Sequence, residues 1–159
     1  MGRGRKRHRR KSTPLPEVTI AEPIDIPPPA SELMQIPSEE VAAMWPLAVS
    51  LLAPELPNVD MTPEQLRDAC IDKRALLWIV CGGNDEAQAA MVTINAPTGR
   101  CIVAICCGNN LWDYLGARHQ LYAWAKGEGM KEVVFYGRDA LAKLMPECRR
   151  VGVILRKEL

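Results

Sequence analysis

No apolar run in this chain approaches the ~18 residues that a bilayer-spanning helix needs, so no membrane partner is expected. No CxxC pair occurs either. The six cysteines, at 70, 81, 101, 106, 107 and 148, follow no regular spacing, and four lie in apolar stretches. Reduced, buried thiols in a cytoplasmic setting are the expected state. The first residues are charged where a secretion signal needs an apolar core, which fits the same setting. Acids are wholly missing from residues 3 to 11, RGRKRHRRK. That stretch holds Arg3, Arg5, Lys6, Arg7, Arg9, Arg10 and Lys11. Of the 20 basic residues, 13 remain to face all 19 acidic ones, so the net charge of +1 divides into a basic arm and an acidic remainder.

What is present suits one globular domain. The 159 residues are 48% hydrophobic and 25% charged, enough for a real core. Seven of the thirteen prolines fall before residue 38, at 14, 16, 23, 27, 28, 29 and 37. Such a segment builds neither a helix nor a central strand. Residues 1–37 are therefore expected to be a disordered basic arm and proline-stiffened linker, and residues 38–159 the domain.

Within the domain, SEEVAAMWPLAVSLL has a capping serine at Ser38 and a helical pattern interrupted by Pro46. Thr62-Pro63-Glu64-Gln65 is a capping box opening a second helix that should run to about Asp72. Three strand-like runs follow at 75–81, 89–96 and 101–107, joined by Gly82-Gly83-Asn84-Asp85 and Pro97-Thr98-Gly99. Turns that short predict an antiparallel meander. CIVAICC is apolar throughout, which predicts a strand covered on both faces. Residues 111–126 take a helical period and end near Gly127 and Gly129. EVVFYG, at 132–137, returns as a strand, and a strand–helix–strand unit makes a right-handed crossover to a parallel neighbour. A short helix at 139–145 and a closing strand at 151–157 complete the order. The fold class is α/β: an antiparallel meander plus a parallel crossover, with helices on both faces.

That order resembles the GNAT N-acetyltransferase superfamily over about residues 38–159. Trp45, the TPEQL-like second helix, LLWIV and WAKGEGMKEVVFYGRDALAKLMP are similar to small GNAT-like proteins of tailed phages and prophages. The resemblance implies a GNAT-like sheet in which acetyl-CoA enters beside the central strand. Its pyrophosphate would meet a Q/R-x-x-G-x-G/A loop at the start of the following helix. The matching loop here is Cys106-Cys107-Gly108-Asn109-Asn110-Leu111, which keeps one glycine of that pattern. The cofactor candidates are thus Cys107, Gly108, Asn109, Asn110 and Leu111, with Gly108 suited to a positive φ, and Arg138 as a phosphate or carboxylate partner. The family's base is often a Glu near the central strand, and a Tyr after the parallel strand can protonate the leaving thiolate. CIVAICC offers no acid, and Tyr136 is the nearest tyrosine.

The remaining candidates have plainer readings. Cys106 and Cys107 should face opposite sides of one strand, so no metal site is expected with His119. Arg138 could equally pair with Asp139. Residues 3–11 suit nucleic acid or another polyanion through phosphate contacts. Two functions stand open. One is transfer of acetyl from acetyl-CoA to an amine. The other is an inactive GNAT fold in a virion-associated or nucleic-acid-associated protein that meets a virion or host protein and acts through its arm.

Overall fold

The computed structural model describes residues 31–109, 111–136 and 139–152. Five strands form one sheet in the order β1-β2-β3-β4-β5. They are β1 (Glu32–Ile36), β2 (Leu76–Cys81), β3 (Ala87–Ala96), β4 (Arg100–Gly108) and β5 (Glu132–Phe135). The first four pair antiparallel. β4 and β5 pair parallel, from Arg100↔Glu132 to Val103↔Phe135. Helices α1 (Val41–Leu52) and α2 (Pro63–Ile71) cover one face with Ile36, Leu77, Ile79, Ala90, Val92 and Ile105. Helix α3 (Leu111–Gly127) covers the other, where Leu121 and Ala125 meet Trp78, Met91, Cys101 and Val103. A short helix α4 (Asp139–Leu144) follows β5.

The meander and the parallel crossover stand as the sequence predicts. The linker does not extend as far as predicted: Glu32–Ile36, assigned to it on proline density, is the edge strand β1. Prolines flank that segment without entering it, and Ile36 is buried against the α1 side. Residues 1–30 lie outside the described residues, as does most of the expected strand at 151–157. Ser38 does not cap α1. The cap position is Glu40, and the Ser38 hydroxyl donates to the Glu39 carboxylate at 3.1 Å. Pro46 is carried inside a single helix on its exposed side. The capping box of α2 is complete, with Gln65 N–H donating to Thr62 Oγ1 at 3.2 Å and Thr62 N–H to Gln65 Oε1 at 2.8 Å. A cap of this kind contributes about 1 kcal/mol.

One residue reshapes the central strand. Val92 pairs with Ile105 but Thr93 pairs with Val103, so Ala104 is an extra residue, a β-bulge. The bulge flips the alternation. Cys101 and Val103 face α3, whereas Ile105 and Cys107 face α1. Beside the bulge, Thr93 is fully buried yet satisfied, because the Trp78 indole N–H donates to its hydroxyl at 2.9 Å. The same indole meets Trp124 of α3 edge-on, with ring centroids 4.8 Å apart. The outer edge of β1 is closed by a side chain of α3. The Leu33 N–H donates to Gln120 Oε1 at 2.8 Å, and Gln120 Nε2 donates to the Ser31 carbonyl at 2.6 Å. One amide thereby satisfies two groups of an edge strand.

Candidate cleft at the parallel strand pair

β4 outlasts its partner. Pairing with β5 ends at Val103↔Phe135, and among the described residues 104–108 have no β5 partner while remaining on β3. The bulge at Ala104 sits where that pairing stops, and bulges bend and over-twist a strand. Among the described residues the parallel pairing reaches no further than that point. Alternate residues beyond the bulge turn their N–H and C=O groups toward the β5 side of β4. The chain then passes Asn109 and opens α3, whose first-turn N–H groups lack intrahelical partners.

The loop residues differ in detail from the expectation. Gly108 was expected to serve a positive φ. Among the described glycines, the positive φ values belong to Gly99 and Gly129. Gly108 serves close packing: a Cβ there would lie 2.3 Å from the Gln88 carbonyl oxygen and 2.4 Å from the Ala89 Cβ. The Asn109 N–H is likewise committed, donating to the Gln88 carbonyl at 2.7 Å. The anion donors that remain are those of the first turn of α3, starting at Leu111. Asn110 and Arg138 lie outside the described residues.

Cys106 and Cys107 pack against opposite core clusters, as strand alternation requires. Burial pushes the Cys107 thiol up, and the nearby Glu55 carboxylate acts in the same direction. Burial raises Cys101 as well and holds Cys70 at about 11. None of these is a thiolate nucleophile at neutral pH. Among the described residues, no group of three or more His, Cys, Asp or Glu is placed to hold a metal. Tyr136 follows β5 and is 58% exposed. Its neighbour Phe135 packs on the α3 side.

An acid absent from β4 arrives from elsewhere. Glu55, half-buried in the loop after α1, lies near Cys107 of β4. Its backbone N–H donates to the Leu52 carbonyl at 3.0 Å, and its Oε2 accepts from Asn58 Nδ2 at 2.9 Å. Proximity to Cys107 spans 52 positions of sequence, and no local pattern announces it. On the other face, Arg118 Nε donates to Glu147 Oε1 at 2.6 Å, and the Tyr122 hydroxyl lies 3.3 Å from the same oxygen and 3.5 Å from Cys148 Sγ. Burial, then the contacts with Cys148 and Glu147, push the Tyr122 phenol well above its usual range. The phenol therefore stays protonated near neutral pH. The Arg118 hydrogen bond holds Glu147 below the usual carboxylate value. The arm residues Arg3, Arg5, Lys6, Arg7, Arg9, Arg10 and Lys11 lie outside the described residues.

No family model and no curated protein matches the chain. Solved structures do. An aminoglycoside acetyltransferase from an uncultured soil metagenomic sample, in complex with sisomicin, aligns with TM-score 0.61 at 9% identity, over 81% of this chain and 96% of that one. A Trypanosoma brucei acetyltransferase aligns at 0.54 and 10%, over 82% and 100%. The aminoglycoside 6'-N-acetyltransferase AAC(6')-Ih from Acinetobacter baumannii aligns at 0.53 and 12%, over 82% and 99%. At such identities the likeness is one of fold, and the fold is GNAT-like.

Proposed function

We propose that the domain binds acetyl-CoA between β4 and β5 and transfers its acetyl group to an amine. The observation that carries this reading is that β4 outlasts its parallel pairing with β5 among the described residues. Among the described residues the parallel pairing stops at Val103, beside the bulge, while β4 runs on along β3 to the start of α3. The residues present suit the group. Open strand groups can bond an amide-containing arm, and the first turn of α3 can take a pyrophosphate. Bound acetyl-CoA would supply the thioester. The chain would supply orientation and a wall of apolar strand residues. Acetyltransferase activity in the structural neighbours favours the same reading.

The test is calorimetric titration of the purified protein with acetyl-CoA, together with thermal melting. Ligand at 100 times its dissociation constant adds about 2.7 kcal/mol to stability. No heat and no shift at millimolar acetyl-CoA overturns the reading.

The arm supports a second activity in the same chain. Seven cations in nine residues, tethered to an otherwise acidic chain, suit the phosphates of a nucleic acid. This is the feature that favours a phage or virion-associated role, with the arm holding the domain at its place of work.

A further inference from the structure

We infer that the domain acetylates its own arm, at Lys6 and Lys11. This rests on the acetyl-transfer reading above and names its acceptor. The arm joins the domain at the end of the sheet where α3 starts. Glu32 pairs with Cys81, Cys81 with Ala87, and Ala89, two residues on, with Gly108. The start of β1 and the end of β4 therefore share one end of the sheet, three strand spacings or about 14 Å apart. Ser31 is pinned there, its carbonyl accepting from Gln120 Nε2 at 2.6 Å. Lys11 precedes Ser31 by 20 positions, and a chain of that length spans at most about 70 Å. Both arm lysines are within reach of the cleft of their own molecule.

Charge favours the same destination. Glu32, Asp85 and Glu86 are exposed at this end, and Glu55 lies near Cys107. Burial, then the Glu32 and Asp85 carboxylates, push the Cys81 thiol up, which sets those two acids around one point. Residues 31–33, 53–62, 82–89 and 104–109 include no Lys or Arg. An acidic end of this kind attracts a segment with seven cations in nine residues. Three described lysines stand at the opposite end. Lys73 precedes β2, Lys126 lies in the last turn of α3, and the Lys131 N–H donates to the Gly99 carbonyl at 2.7 Å beside the start of β4. The length of β4 puts that end about 25 Å from Gly108.

The step needs no further reagent. The unprotonated lysine Nζ bonds to the thioester carbonyl carbon as the C–S bond breaks, and the proton that the nitrogen sheds ends on the leaving sulfur. The products are an acetyl-lysine and the free thiol of CoA. Two of the arm's seven positive charges are removed while five arginines keep theirs, so the modification loosens the arm's hold on phosphates without ending it.

The experiment incubates the full chain with acetyl-CoA at pH 8 and maps acetyl-lysine by peptide mass spectrometry over time. A tethered acceptor is present at an effective concentration of the order of millimolar. At micromolar protein, Lys6 and Lys11 should therefore be acetylated at least tenfold faster than Lys73, Lys126 and Lys131. They should also outpace the same lysines in an added equimolar peptide of residues 1–14 by at least tenfold. The fraction modified per minute should not change on tenfold dilution of the protein, and the same chain unfolded in urea should lose the preference. Spermidine is the separate acceptor that reports on acetyl transfer itself. Release of CoA thiol with spermidine while Lys6 and Lys11 react no faster than in urea overturns the self-acetylation and leaves acetyl transfer standing. A modified fraction that falls in proportion to dilution overturns it too, because the acceptor then belongs to another molecule. Protein that releases no CoA, with spermidine or without, overturns both.

Discussion

Replacing Gly108 with alanine adds one methyl group where the sheet has no room. The new Cβ would stand 2.3 Å from the Gln88 carbonyl oxygen, 2.4 Å from the Ala89 Cβ and 2.6 Å from the Ala89 Cα. Two of those atoms are backbone, so no rotamer change relieves the contact. The end of β4 must leave β3, giving up the Ala89↔Gly108 pair and the 2.7 Å bond from Asn109 N–H to the Gln88 carbonyl. Overpacking costs about 1–3 kcal/mol. A lost ladder bond adds about 1 kcal/mol. The total is about 2–4 kcal/mol, which lowers Tm by roughly 6–15 °C in a domain of this size. Gly127→Ala is the matched control. Nothing lies within 4 Å of its added Cβ, and it ends α3, so alanine there should stabilise by up to about 1 kcal/mol. Ala89→Gly in the Gly108→Ala background should recover only part of the loss, since the Gln88 contact survives. Circular dichroism melts of the four proteins suffice. A Gly108→Ala Tm within about 2 °C of wild type refutes the packing argument. The same geometry disqualifies Gly108→Val as a clean probe of acetyl-CoA binding, because it would disturb the strand before it met any ligand.

Thr93→Val leaves the buried Trp78 indole N–H unpaired and should cost about 1–3 kcal/mol in urea unfolding, with the m-value unchanged. Gln120→Ala should speed hydrogen exchange at the Leu33 amide about tenfold or more while leaving the α2 capping box as protected as before. Glu147 is held below its ordinary value of 4.5 by Arg118, so the contribution of that pair is fully present above pH 4.5 and lost as pH falls through the lowered folded value. The stability gap between wild type and Arg118→Gln should accordingly be constant near neutrality and close as pH falls through that lowered value. Deleting residues 1–11 should abolish binding to duplex nucleic acid without moving Tm. If about five cations engage phosphates, the intact chain should show a log–log salt slope of about −4 to −5. A slope near zero, or equal affinity without the arm, would dismiss the nucleic-acid role.

The elements that the sequence disclosed are those written in local pattern. Thr62-Pro63-Glu64-Gln65 states its helix start in four residues, and the short turns at 82–85 and 97–99 permit only an antiparallel meander. The change from strand to helical period after residue 108 yields the parallel crossover. What stayed hidden has no local signature. CIVAICC is apolar at every position, so a bulge that exchanges its faces leaves no trace in the pattern. Gly108 was assigned to a turn because a glycine before a helix commonly is one, whereas a neighbouring strand determines its use. β1 sat among prolines and was absorbed into the linker. Glu55 gains its position from contact with a distant strand, and only the folded chain brings them together.

The clasp of Gln120 on β1 has a mechanical consequence. Any force delivered through residues 1–30 enters the domain at Ser31, whose carbonyl is held by the Gln120 amide. The first bonds to feel tension are therefore shared between β1 and α3, before the ladder to β2 is strained in turn. α3 begins, nine residues upstream of Gln120, at the mouth of the cleft. A pull on an anchored arm would thus act on the helix that borders the cleft, and a tethered domain could differ in ligand affinity from a free one.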